Sequence, residues 1–406
     1  MALPTRYAPL FSDLLGASPS AADLREIGLD NLTHGLVGAA VSRAGAHRTT
    51  PLATATLVLA ANAPDIDVAA FAGGEYAALA ARRGITHGVP ALLVMPFLVA
   101  AAMLGWDRWV RRRRDPDAPP ARPGYVLMWA AVGLATHPAL DWMNTYGMRW
   151  WLPFDGSWTY GDALFIIDIW LWLALGGAIV LAVRPSGWGR WAWAGLAALA
   201  TAVVFSRPAD VGVLARVVWL AGLAGVVGLR LAGHPRQDDA GRRVAVGALA
   251  LAAVYIGLMV AADAPARSIV RAEAEAAGLD VVEVMVGPLP ADPFAAEVEI
   301  RTASSFVHGS FHWLRTPRVV LDTREAVPLL DAPVGLTADS VRSVVAAARM
   351  VPEARDYLVW SRYPYVRVRA DGPDWRVRFG DARYDNRPGT GGLAGVEVRV
   401  PGGGGR

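Results

Sequence analysis

The sequence predicts a mainly α-helical, polytopic membrane domain of about six to eight membrane-embedded helices, followed by a soluble α+β domain. Three observations carry that prediction. Of the 406 residues, 54% are hydrophobic and only 18% charged, against roughly 25% charged in an ordinary soluble domain. Apolar runs recur at about 30–46, 51–63, 87–105, 124–142, 165–183, 190–206, 211–231 and 243–262. After Asp263 the pattern changes to short alternating segments.

Residues 1–29 read as a polar-to-mixed lead. The first two apolar runs are too short to cross alone and are expected as a helical hairpin buried against the others. The later runs approach the ~20 residues that span a ~30 Å hydrocarbon core. The helical membrane domain is therefore placed at 30–264. In 265–400, "AEVEIRT", "YVRVRA", "WRVRFGD" and "VEVRV" alternate with period two and read as strands, while "ADSVRSVVAAARM" reads as a helix behind a polar cap. The final "PGGGGR", 401–406, reads as a disordered tail.

With no cysteine, neither a disulfide framework nor a thiolate metal site is available. The net charge is only +3 and there is no basic aromatic stripe, so nucleic acid is not an expected partner. All 39 basic residues are arginines, and their placement sets an orientation. If the runs alternate, the segments 43–50, 106–124, 184–190 and 230–243 share one side and hold fourteen arginines. The other side holds six: Arg82, Arg83, Arg149 and Arg207, with Arg6 and Arg25 in the lead. The first side is expected to be cytoplasmic, and the C-terminal domain to lie outside.

On that map the polar residues gather. Three of the seven histidines follow a threonine, in "DNLTHGLVGAA" (His34), "RRGITHGVPALL" (His87) and "GLATHPALDWM" (His137). All three fall at the outer side, as do Asp65 and Asp67 of "NAPDID", Asp141, Asp162 and Asp168. Ionisable groups at membrane depth are costly and point to function by default. His137 and Asp141 stand at i and i+4, so a helix presents an imidazole nitrogen and a carboxylate oxygen on one face. Such N/O ligands suit a divalent ion, zinc above all, and a catalytic site keeps a position for water. Asp67 or Asp162 is then available to orient that water or act as general base. Thr33 and Thr86 are expected to cap the helices that begin there, or to orient a ligand.

Each piece also has a plain reading: Asp65 and Asp67 as a turn, Asp168 as a helix N-terminal acid, a lone histidine as an interfacial residue. Their convergence on one side is what favours a site. His47 and His234 read as loop residues on the arginine-rich side. His308 and His312 share strand parity, a weak metal signal. "RRRR" at 111–114 reads as a headgroup-facing anchor, and the tryptophan-rich stretches as interfacial belts.

The segments "DNLTHGLVGAA", "ANAPDID", "RRGITHG", "ATHPALDWMNTYG" and "PFDGSWTYGDALFIIDIW" resemble the successive motifs of the YdjM-like family of bacterial inner-membrane proteins, inferred to be metal-dependent hydrolases. The resemblance covers about residues 30–170. The order of ligands is also similar to the zinc-dependent phospholipase C and P1-nuclease group, which cleaves phosphate esters. These resemblances imply His34, Asp65, His87, His137 and Asp141 as metal ligands. The further His and Glu of the three-zinc enzymes are not evident here, so one or two ions are expected. Where the family often has Asp-Pro, this chain has Asp168-Ile169.

The expectation is a multi-pass bacterial inner-membrane hydrolase of an ester or phosphoester bond. A lipid or lipid-linked substrate would suit the interfacial site and the "TYG" segments at 145–147 and 159–161. Two other readings stay open. One is an interaction protein with a structural metal, in line with the repressor binding that the resemblance implies. The other is an ion-coupled transporter, which the clustering of acids at one end disfavours.

Overall fold

The computed structural model describes residues 19–183, 187–206, 211–233, 238–384 and 392–402. The N-terminal part is helical: α1 (Pro19–Arg43), α2 (Ala53–Asn62), α3 (Glu75–Ala81), α4 (Val89–Trp106), α5 (Pro123–Trp142), α6 (Ile169–Ala182), α7 (Trp188–Ser206), α8 (Val213–Leu231) and α9 (Asp238–Ala276). Among the described residues four helical stretches are long and apolar enough to cross a membrane: Ala53–Gly73, Val89–Arg114, Val213–Leu231 and Asp239–Ala276. The expected six to eight membrane-embedded helices, which included a hairpin too short to cross, are not confirmed by this count. Helix α1 carries Asp23, Arg25, Glu26 and Asp30 in its first half. Helix α5 ends in the polar His137 and Asp141. Helix α6, at ~1.5 Å per residue, falls short of a ~30 Å core.

Two boundaries differ from the sequence reading. The first histidine helix starts at Pro19, inside the expected lead, so Thr33 lies within a helix and caps nothing. The expected boundary at 264/265 falls inside α9, which runs through Pro265 without a break. At ~1.5 Å per residue this helix is ~58 Å long, about twice the hydrocarbon thickness. Its apolar lower part exposes Leu251, Val254 and Leu258, and its upper part packs Ala266, Val270 and Ala274 beneath a sheet.

That sheet is an antiparallel meander of β1 (Val281–Leu289), β2 (Asp292–Thr302), β3 (Ser305–His312) and β4 (Val319–Pro328). A second sheet has the order β5 (Leu330–Asp331), β6 (Pro364–Asp371), β7 (Asp374–Asp381) and β8 (Val396–Val400), with β5–β6 parallel. Alternation explains the core of each: Val298 and Ile300, like Val377 and Phe379, are buried while intervening residues face outward or into polar joins. Helices α10 (Ala338–Arg349) and α11 (Pro352–Trp360) cover the second sheet through Ala348, Ala354, Tyr357 and Trp360. Thr337 caps α10 by accepting from the Ser340 N–H, the polar cap expected there. Of the expected tail, residues 403–406 lie outside the described residues, as does His234.

Close backbone packing positions the site. Helix α2 is sandwiched between α1 and α5. A Cβ at Gly38 or at Gly133 would meet the Leu57 carbonyl oxygen at 2.9 and 2.8 Å respectively. Only glycine permits both approaches, the small-residue packing that apolar helices use where no hydrophobic force separates protein from lipid. His34 precedes Gly38 by one turn and His137 follows Gly133 by one turn, so this contact brings the two histidines together.

Candidate metal centre

The histidines and acids meet at one end of the bundle. His34 and His137 stack with ring centroids 3.8 Å apart, and His87 tilts against His137 at 4.9 Å. Asp141 reaches His137 one turn back on α5, with Oδ2 3.4 Å from Nε2. The same Oδ2 lies 3.2 Å from His87 Nε2, and Oδ1 lies 3.3 Å from His34 Nε2. Asp65 Oδ1 stands 3.6 Å from His87 Nε2 and 3.7 Å from His137 Nε2. All three imidazoles are wholly buried.

Asp65 and Asp67 are carried by a long 3₁₀ stretch, Ala63–Gly73, that continues α2. Such helices are usually short, and long ones often mark functional positions. Here the stretch places the two carboxylates on opposite edges of the His87 ring. Asp65 faces Nε2, while Asp67 Oδ2 lies 3.3 Å from Nδ1.

The second ring nitrogens are tied down. The Ala61 carbonyl can only accept, so His137 donates Nδ1–H to it at 2.6 Å and turns the Nε2 lone pair inward. His87 Nδ1 lies against the Thr86 hydroxyl at 3.0 Å, and that hydroxyl donates to Asp67 at 3.4 Å. The two Nε2 atoms then face each other at 3.1 Å. Two inward lone pairs and adjacent carboxylate oxygens repel unless a cation lies among them.

The spacing suits one. Four ligands at ~2.0–2.1 Å in a tetrahedron stand ~3.3–3.4 Å apart. His87 Nε2, His137 Nε2 and Asp141 Oδ2 form a triangle with edges of 3.1, 3.2 and 3.4 Å, and Asp65 Oδ1 lies 3.6 and 3.7 Å from its two nitrogens. Both Asp141 oxygens are buried and take no hydrogen bond. The donor set therefore fits a divalent ion. Two ligand triplets, His34/His137/Asp141 and Asp65/His87/His137, share His137, so the five residues form one cluster.

Arginines ring the acids. Arg83 pairs with Asp141 Oδ1 at 3.1 Å, donates to Asn144 Oδ1 at 2.7 Å, and lies 4.7 Å from the Tyr146 ring. Its backbone N–H donates to Asp67 Oδ2 at 2.9 Å. Arg82 stands 3.6 Å from Asp65. Arg149 donates to the Ala80 and Arg82 carbonyls and stacks on Trp158. The sequence reading did not assign these arginines to the site. Their signal was present: they sit on the arginine-poor side, two of them directly before "GITHG".

Asp162 is elsewhere. It accepts from Arg362 at 2.9 and 3.0 Å and from Arg267 at 2.7 Å, joining the loop after α5 to α9 and to the C-terminal β domain. The "TYG" segments lie in the same join: Met148 and Thr159 pair as an antiparallel bridge, and Arg362 stacks 3.9 Å from the Tyr160 ring. Asp168 caps α6, accepting from Trp170 and Leu171 N–H and from the Tyr255 hydroxyl. Neither threonine caps a helix: Thr33 accepts from Trp172 Nε1 at 2.8 Å, and Thr86 serves His87. His308 pairs with Glu299 and His312 accepts from the Leu314 N–H.

Residues 29–211 match the model of the YdjM inner membrane protein family. The match contains all five converging residues. No curated protein and no solved structure matches the chain.

Proposed function

We propose that this protein is a membrane-bound, metal-dependent hydrolase acting on an ester or phosphoester bond of a lipid or lipid-linked substrate, at the outer face of the bacterial inner membrane. One observation carries the reading. His87, His137 and Asp141 form a tight triangle with edges of 3.1 to 3.4 Å, while Asp65 stands farther off and keeps 7% of its surface exposed. Three firm ligands and one loose position are the arrangement of a catalytic ion.

His87, His137 and Asp141 would hold the ion, with Asp65 at the exchangeable edge and His34 bearing on the second Asp141 oxygen. A divalent metal, zinc by its ligand preferences, supplies a water whose pKa approaches ~7 and polarises the oxygen under attack. Asp67 positions His87 through Nδ1. Its Oδ1 is buried without a hydrogen bond and is the acceptor available for a proton. Asp162 has no part in this chemistry, since both its oxygens are bonded to arginines.

The test is elemental analysis of the purified protein, followed by an esterase and phosphodiesterase panel with and without chelator. Stoichiometric metal and chelator-sensitive hydrolysis are expected, with both abolished in His137→Ala and His87→Ala. If both variants retained metal as the wild type does, the reading fails. A second reading, a structural metal in an interaction protein, draws on one feature: buried protein side chains alone supply the two groups of donors that could hold an ion. It predicts bound metal and metal-dependent thermal stability with no hydrolysis of any ester.

A further inference from the structure

Arg82 is buried and charged, and its acidic neighbours stand at ion-pair rather than hydrogen-bond distance. The residue is 9% exposed. Nε is fully buried and unpartnered. The nearest carboxylate oxygens are Asp65 Oδ1, 3.6 Å from Nη2, and Asp67 Oδ1, 3.8 Å from Nε, both beyond hydrogen-bond reach. The other two arginines at the site are engaged: Arg83 by Asn144, Asp141 and Tyr146, and Arg149 by two carbonyls and Trp158.

A buried donor left unsatisfied costs the folded state its desolvation energy, so its retention calls for a reason. Position supplies one. His34, His87 and His137 are 0% exposed and Asp141 is 1%, whereas Asp65 is 7% and Arg82 is 9%. Among the charged groups of the cluster, exposed surface remains at Asp65, Asp67 and Arg82.

The geometry points to Arg82 as the residue that binds a phosphoryl oxygen of the substrate, and so to a phosphodiester as the substrate class. This rests on the hydrolase reading. The planar guanidinium fork matches two phosphate oxygens, whereas a carboxylic ester in its ground state has no anion to offer it. Charge agrees. Asp65, Asp67 and Asp141 are outweighed by Arg82, Arg83, Arg149 and a divalent ion, which leaves the site net positive, as an anionic phosphodiester requires. Apolar surface adjoins the same segments: Ile66, between Asp65 and Asp67, is 65% exposed, and Ile85, two residues before His87, is 61% exposed. A headgroup phosphate at Arg82 would leave acyl chains against such surface.

The experiment compares full-length wild type, Arg82→Gln and Arg82→Lys, purified in detergent and loaded with zinc. Zinc content is expected to be equal in all three, because Arg82 is not a ligand. Radiolabelled inorganic phosphate should bind the wild type saturably, roughly tenfold or more weakly to Arg82→Gln, and at an intermediate level to Arg82→Lys, which keeps charge without the fork. KM for bis-p-nitrophenyl phosphate and for phosphatidylglycerol vesicles should rise in Arg82→Gln by a larger factor than KM for p-nitrophenyl butyrate; an equal rise for all three would overturn the choice of a phosphodiester. Faster turnover of vesicles than of the soluble diester would identify a lipid as the source of the phosphate; the reverse would identify a free phosphoester. Absence of phosphate binding to the wild type, equal binding to Arg82→Gln, or loss of binding only together with zinc overturns the inference. Failure of the hydrolase reading is seen separately, as no chelator-sensitive hydrolysis by the wild type, while phosphate binding still decides the role of Arg82.

Discussion

Two buried polar clusters lie at the same end of the helical bundle, and they differ in closure. In the join centred on Asp162 and Asp381 every carboxylate oxygen has donors at hydrogen-bond distance. Asp381 accepts from Ser361 Oγ at 2.9 Å, Arg362 N–H at 2.7 Å and Arg383 Nε at 2.9 Å, and Arg383 in turn donates to the Thr145 carbonyl at 2.6 Å. Around Asp141 three ring nitrogens stand 3.2 to 3.4 Å from the carboxylate oxygens, and Arg83, paired with Oδ1 at 3.1 Å, leaves Oδ2 facing the histidines. A satisfied network holds protein to protein. An open one of this spacing is shaped around something else.

The contrast can be broken most forcefully at Asp162. Asp162→Asn leaves the Arg267 and Arg362 guanidinium groups short of their counter-charge, a loss of about 3–5 kcal/mol for a broken buried pair. Thermal unfolding should shift down strongly while metal content per folded chain stays unchanged. Loss of metal in this variant would merge the two clusters into one functional unit. A smaller effect, with the opposite signature, is expected for Asp67→Asn. Metal affinity should weaken about 10–100-fold through the disturbed His87, measured by chelator competition, with little change in the unfolding of metal-free protein.

The smallest effect is a pH dependence. Burial alone would raise the Asp381 carboxyl, but the adjacent Arg383 guanidinium, with the N–H donors around it, holds it below the usual carboxylate range. Its stabilising contribution is therefore complete above the unfolded value of ~3.9 and is lost as pH falls through the lower folded value. Wild-type stability should decline with acid across that window, and Asp381→Asn should flatten that part of the curve. An unchanged acid limb in the variant would remove Asp381 from the account of docking.

Much of the candidate site was legible because membrane helices obey a strict economy of charge. His34, His87, His137, Asp65 and Asp141 were conspicuous against apolar runs, and alternation alone put them on one side. Asp162 satisfied the same criteria and belongs to the other cluster. Its partners, Arg267 and Arg362, lie about a hundred and two hundred residues on, beyond any local pattern. Arg82 and Arg83 were visible as arginines on the arginine-poor side. Their division of labour was not, because adjacent residues on a turn can face different neighbours.

By itself the sequence determined the helical class, the β-rich character of the C-terminal part and the polar residues that stand out against the apolar runs, because hydropathy, alternation and i,i+4 spacing are local properties; the set of five was implied by the family resemblance. Tertiary structure decided the rest. The close contact of Gly38 and Gly133 with Leu57 sets how near His34 and His137 can come. The unbroken passage of α9 through Pro265 joins the two halves of the chain where composition suggested a boundary. The choice of which acids are paired and which are left open depends on distances between elements, and no reading of single segments contains those distances.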